Sequence, residues 1–207
     1  MTETPLVISF YTLQTPYELE VKKLKDSCEK YGIEAEIVGV ESAGSWEKNC
    51  ALKPLFILEK LRQLSRPVLW VDSDAVFKQR PDFNEFEGCD LSVRMNEFLP
   101  KGHASRISSG TIFVRNNAAG AAILEQWCQE TEKVLQHKER TMEFWDQTTL
   151  RDVLDRNTAV RFFPLPLKYA KIFDFDDLFI SEKEVVIEHY QASRRYKHGI
   201  TSDYCSH

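Results

Sequence analysis

The 207-residue chain is 43% apolar and 29% charged, a balance that suits one good-sized globular domain and excludes a disordered or fibrous protein. A net charge of −5 and a pI near 5.6 give no electrostatic case for nucleic acid or an anionic membrane surface. No apolar run approaches a membrane span, and the polar start Met1-Thr2-Glu3-Thr4 does not read as a secretory leader.

Cysteines stand at 28, 50, 89, 128 and 205. Their odd number and lack of metal-ligand spacing predict reduced thiols in a cytoplasmic protein. Cys28 and Cys128 fall in helical patterns and are expected in the core.

In chain order, residues 5–11 (PLVISFY) read as a buried strand. Residues 16–31 have a helical pattern with Leu19, Leu24, Cys28 and Tyr31 on the apolar side, and Gly32 is a natural stop. Residues 33–40 read as a second strand, which makes a parallel βαβ opening. A loop over 41–49 holds Gly44 and Trp46. A helix is expected over 49–64, with Asn49 in the cap position and Leu55, Leu58 and Leu61 at helical spacing. Pro54 falls in its first turns, where it is tolerated.

Residues 66–77 (RPVLWVDSDAVF) carry the strongest signal. A β-branched and aromatic run without polar alternation suits a strand buried on both faces. It ends in Asp72-Ser73-Asp74, where open α/β sheets keep their ligands. On an extended chain both carboxylates point to the same side. Like charges so placed repel unless a proton or cation lies between them. Hard oxygen ligands then point to a divalent metal. The other reading is an Asp-rich turn with Asp72 as a helix N-cap.

Beyond Pro81 the pattern breaks up. Strands are expected over 90–95, over 109–115 (entered through Gly110) and over 184–189. A polar loop over 96–108 is expected near the site. Residues 117–136 read as a helix burying Ile123, Leu124, Trp127 and Leu135, and residues 143–154 as another. Residues 160–167 form a Pro-interrupted extended segment. The tail from 190 is polar and basic.

Four features are candidates to join the Asp pair. Asp146-Gln147 follows Trp145 on a predicted helix, a pattern that suits a polar ligand such as a sugar. His189 ends a mostly apolar strand, and a His beside two carboxylates makes a mixed oxygen and nitrogen set for Mn²⁺. Arg194, Arg195 and Lys197 follow it and are able to neutralise a diphosphate. Lys53 starts the helix that feeds the Asp strand and suits a carboxylate or phosphate. Each also has a plain structural reading as core or solvated surface.

Taken together, these stretches resemble the GT-A class of nucleotide-sugar-dependent glycosyltransferases, closest in style to its retaining, galactosyltransferase-like members. The pieces come in the family's order: the strand ending at Tyr11-Thr12, Lys53-Pro54, Asp72-Ser73-Asp74, Ser109-Gly110-Thr111, Trp145-Asp146-Gln147, and a late His189 before basic residues. The resemblance implies one GT-A (Rossmann-like) domain over 1–207, with a mixed sheet flanked by helices. Residues 1–77 would be its nucleotide-binding half, and residues 78–207 its sugar and acceptor side with the basic tail. It implies Mn²⁺ (or Mg²⁺) on Asp72, Asp74 and His189, bridging the phosphates of a UDP-sugar. Tyr11 and Thr12 would touch uracil or ribose, and Asp72 and Ser73 would flank the donor. Lys53 would support the Asp pair, and Arg195 and Lys197 the diphosphate. Asp146 and Gln147 would face the donor sugar and the transfer centre. The acceptor would be a saccharide, lipid or protein hydroxyl. Two positions depart from the family: Ala192 stands where relatives carry Gly, and Arg195 where they carry Lys.

Two other readings stay open. The apolar run before Asp72-Ser73-Asp74 also matches the first motif of haloacid-dehalogenase-like phosphatases, with Asp72 as nucleophile and Asp176-Asp177 as the later acidic motif. That motif normally opens its domain, whereas here a βαβ unit precedes it. The third reading is a nucleotide-sugar-binding module without turnover.

Overall fold

The computed structural model describes residues 3–136 and 146–196. Six strands form one mixed sheet in the order β2-β1-β3-β6-β5-β7. They are β1 (Leu6–Thr12), β2 (Ala35–Val40), β3 (Val68–Val71), β5 (Leu91–Met95), β6 (Ile107–Val114) and β7 (Phe162–Pro164). β1 pairs in parallel with both β2 and β3. The crossovers are α1 (Tyr17–Lys30) and the pair α2 (Trp46–Ala51) and α3 (Lys53–Leu64). β6 runs antiparallel to β3 and β5, while β7 lies parallel to β5. The expected strand–helix–strand–helix–strand opening is therefore present, in an α/β architecture.

A second, three-stranded sheet has the order β4-β9-β8, with β4 (Ala75–Phe77), β8 (Lys171–Ile172) and β9 (Ile187–His189). The remaining helices are α4 (Ala118–Gln136), α5 (Asp146–Arg156) and α6 (Ala192–Tyr196). No helix among the described residues is long and apolar enough to cross a membrane.

Alternation along the central strands builds two cores. Leu6, Ile8, Phe10, Val68 and Trp70 pack with Ile57, Leu58 and Leu61 of α3 and with Ile123, Leu124 and Trp127 of α4. Val7, Leu69 and Val71 turn the other way, onto Leu24 and Cys28 of α1 and Ala75 and Phe77 of β4. Burial on both faces explains why VLWV carries no polar residue.

The local differences have physical causes. The helix expected over 49–64 is two helices broken at Leu52, with Pro54 in the first turn of the second. Proline lacks an N–H and clashes with the carbonyl four residues back, so it favours a new helix start. The cap is Ser45, whose Oγ accepts from the Lys48 N–H, so Trp46 is helical and not in a loop. Leu19, Leu55 and Leu135 are 70%, 49% and 41% exposed and lie outside the apolar faces predicted for them. Cys28 is buried in the core, while Cys128 is partly buried against it. The last strand is shorter than predicted, since Val185 and Val186 are buried without joining it.

Candidate active site

The C-terminal ends of β1 and β3 open into a pocket of about 410 Å³. Its floor is the Asp72-Ser73-Asp74 turn between β3 and β4. Asp72 N–H donates to Gly110 O at 2.8 Å, and Ala75 N–H to Asp72 O at 3.0 Å, so the turn is pinned at both ends. β4 then pairs antiparallel with β9 in a register that sets Ala75 opposite His189. Tyr190 N–H donates to Asp74 O at 3.2 Å and carries that pairing back to the carboxylates. A residue 115 positions along the chain from Asp74 is thereby placed beside it. One ligand atom from each of Asp72, Asp74 and His189 lies within 4.8 Å of the others.

The electrostatics of this trio suit a cation. Burial, together with the nearby Asp72 carboxylate, holds Asp74 well above the usual carboxylate range. Burial pushes His189 down to about 3, helped by Lys53 and Arg94, so its imidazole is neutral. Neutral imidazole is the form that binds metal. Thr111 Oγ1 lies 2.8 Å from His189 Nε2 and fixes the ring's orientation. Asp74 Oδ2 accepts from the Ala192 N–H at 2.7 Å, and Asp72 Oδ1 accepts from Trp70 Nε1 at 2.8 Å. One oxygen of each carboxylate is thus held by the protein.

Lys53 links this floor to the opposite wall. Its Nζ lies 2.9 Å from Asp72 Oδ1 and 2.6 Å from Asp146 Oδ2. Ser109 Oγ donates to the same Asp146 oxygen at 2.7 Å. Burial alone would push Lys53 down, but Asp146 and Asp72 outweigh it and keep the ammonium charged. Asp146 opens α5, and its backbone carbonyl accepts from Trp127 Nε1 at 3.1 Å. Gln147 follows on the pocket wall.

Tyr11, Thr12, Lys53, Asp72, Ser73, Asp74, Asp146, Gln147 and His189 all line this pocket. Arg195 does not. Its guanidinium lies on Glu20 of α1 at 2.6 Å, and the pocket-lining arginine is Arg194. Lys197 and Trp145 lie outside the described residues. Asp176 is buried under Arg94, with contacts of 2.5 and 2.8 Å, and Asp177 pairs with Lys171. Neither reaches the pocket, so they do not supply the later acidic motif of a phosphatase.

Sequence reasoning did not include Tyr17, Asn49 or Cys50, all of which line the pocket, and left Trp46 as a loop residue. The Trp46 side chain hydrogen-bonds the Tyr17 hydroxyl, which burial and Asp74 push up. Ser45 by itself was a usable signal, since Ser is a favoured helix N-cap. Gly110 has a geometric reason. A Cβ there would sit 2.8 Å from His189 Cε1 and 2.9 Å from Nδ1. Gly110→Ala is expected to cost about 1–3 kcal/mol through this overlap. Urea unfolding checks it; a loss near zero would show that the ring is free to move aside.

Comparison with known proteins agrees with this geometry. The model of the nucleotide-diphospho-sugar transferase family matches residues 42–198, well over half of the chain. No curated protein matches. Among solved structures, a glycosyltransferase involved in the glycosylation of the major capsid of PBCV-1 superposes with a TM-score of 0.66 at 15% identity. The match covers 94% of this chain and 98% of that one. At that identity it speaks for the fold alone, which is of GT-A type. This chain belongs to the nucleotide-diphospho-sugar transferase family and is a glycosyltransferase.

Proposed function

We propose that this glycosyltransferase is metal-dependent and moves a sugar from a UDP-sugar to an acceptor hydroxyl with retention. The observation that carries the metal is the cluster of Asp72, Asp74 and His189 within 4.8 Å on the pocket floor. Two hard carboxylate oxygens and one imidazole nitrogen suit Mn²⁺, with Mg²⁺ as the all-round alternative. The crowding that holds Asp74 protonatable is relieved by a divalent cation. With Nε2 engaged by Thr111, Nδ1 is the ring nitrogen left to ligate.

The bound ion would supply positive charge to the two phosphates as the nucleoside diphosphate departs. The chain's own residues do the rest. Tyr11 and Thr12, at the end of β1, take the base and ribose, with Ser73 beside them. Lys53 pairs with both Asp72 and Asp146 and holds them in place. The Asp146 carboxylate, whose Oδ2 is held by Lys53 and Ser109, stabilises the positive centre that develops at the sugar carbon. Gln147, whose Nε2 lies 3.4 Å from Ala104 O, flanks the same centre. Retention rests on the galactosyltransferase-like resemblance and not on a distance. The acceptor is a saccharide, lipid or protein hydroxyl.

A thermal-shift series with UDP, GDP and CDP, each with and without Mn²⁺, tests this. Saturating UDP with Mn²⁺ is expected to raise the melting temperature by about 5–10 °C, and neither alone to do so. A shift with no metal requirement would remove the proposed centre. Transfer from a labelled UDP-sugar then separates an active enzyme from a binding module.

A further inference from the structure

We propose that, among the described residues of α6, the cation facing the donor's phosphates is Arg194, released from Asp174, while Glu20 keeps the neighbouring Arg195 out of the pocket. This rests on the nucleoside-diphosphate reading above. Arg194 and Arg195 are adjacent on α6, a single turn fixed over the Asp turn by the bond from Ala192 N–H to Asp74 Oδ2. Two neighbours on one helical turn point in different directions, so at most one faces a given ligand. Arg194 lines the pocket and Arg195 does not.

The two arginines are held with very different strength. Glu20 is buried on α1, and its Oε1 accepts from Arg195 Nη2 at 2.6 Å and from Tyr196 Oη at 2.7 Å. Its Oε2 lies 3.3 Å from Lys23. Tyr17 packs its ring edge on Tyr196 at 5.6 Å and closes the same contact. Arg195 Nε is buried without an acceptor, so the pair is not fully satisfied. Withdrawing Arg195 would leave the buried Glu20 carboxylate with only the Tyr196 hydroxyl and the half-exposed Lys23, and loss of a buried charge partner shifts such an equilibrium by about a hundredfold or more. Arg194 sits 2.8 Å from Asp174, with both side chains about half exposed. An exposed pair of this kind is worth a factor of about five at most. A diphosphate therefore draws Arg194 off Asp174 far more readily than it draws Arg195 off Glu20. Asp174 is then a competitor, an anion that must yield its cation before the donor is gripped.

Calorimetric titration of UDP in Mn²⁺ tests this on the full chain. Arg194→Ala is expected to weaken UDP about tenfold and to reduce the salt dependence of binding. Asp174→Asn is exposed and safe for folding, and it is expected to tighten UDP by about two- to fivefold. Glu20→Gln is expected to lower the melting temperature yet keep the preference for UDP over UMP. The inference is overturned if Asp174→Asn binds UDP no more tightly than wild type. It is equally overturned if Arg195→Lys or Glu20→Gln loses the preference for UDP while Arg194→Ala keeps it. If wild type binds no nucleoside diphosphate at all, the broader reading fails. If it binds UDP and Arg194→Ala binds it equally, only this inference does.

Discussion

Asp74→Asn is expected to remove the metal-dependent response to UDP while leaving the metal-free protein as stable as wild type, or more so. Asp74 is a carboxylate in a poor place: it is desolvated, lies beside Asp72, and has its charged form disfavoured. A native group that crowds another like charge gives up stability for function. Asparagine keeps an oxygen for the Ala192 N–H, which Asp74 Oδ2 now accepts at 2.7 Å, so α6 stays seated. What is lost is one of the three proposed protein ligands. Even residues behind the ligands are worth about 10–100-fold in metal affinity, so losing a ligand should exceed that. Turnover of a UDP-sugar should fall in step. Melting curves in EDTA and in Mn²⁺ with UDP separate the two effects. Wild-type metal-dependent binding in this variant would sink the assignment, and a large loss of stability in EDTA would make Asp74 a structural residue.

Lys53→Met is expected to give the opposite pattern. Lys53 is buried and holds two carboxylates, Asp72 at 2.9 Å and Asp146 at 2.6 Å. Methionine replaces its stem and removes its charge. Asp146 is then buried with only the Ser109 hydroxyl on its held oxygen. Removing one partner of a buried pair costs about 3–5 kcal/mol, because the other charge is left uncompensated. For a chain of this size that lowers the melting temperature by about 6–20 °C. Adding Asp146→Asn should recover part of the loss, since it removes the stranded charge. Urea unfolding of the two single variants and the double variant gives the coupling directly. A loss below about 1 kcal/mol, in the range of exposed pairs, would mean that Lys53 is not the buried bridge described here.

The two variants together show how far a sequence can be read. The run VLWV before Asp72 announced a strand buried on both faces because such a strand has no room for polar alternation. The order of Lys53, the Asp pair, Asp146 and His189 carried the family. What could not be read was direction. Leu19, Leu55 and Leu135 fit helical spacing, yet their side chains meet solvent, since a period marks a face without naming its neighbour. Arg195 stood at the right distance from His189 for a phosphate, but a buried Glu20 from α1 claimed it, and nothing local announces a contact across 175 positions. Trp46 looked like a loop residue because Asn49 reads as the helix cap, whereas Ser45 caps the helix one turn earlier. Tyr17 and Cys50 were unreadable for a related reason: the pocket is where several chain ends meet, and each end looks ordinary by itself.

The pairing of β4 with β9 carries a consequence for how this protein can change. Ala75 faces His189, Val76 faces Glu188, and Phe77 faces Ile187. Slipping that ladder by one place would turn every side chain to the other face, bringing Glu188 or Tyr190 to the carboxylates in place of the imidazole. A single-residue deletion inside either three-residue strand is therefore fatal to the centre. The long excursion between Phe77 and Ile187 is held where Gly110, Thr111 and Asp146 meet the site, but its loops are under no such rule. Its surface loops can lengthen, shorten or be exchanged while the ladder keeps its register. The protein thus separates a part that must be kept to the residue from a part that is open to variation, and the variable part includes the polar loop around residues 96–103 that precedes β6.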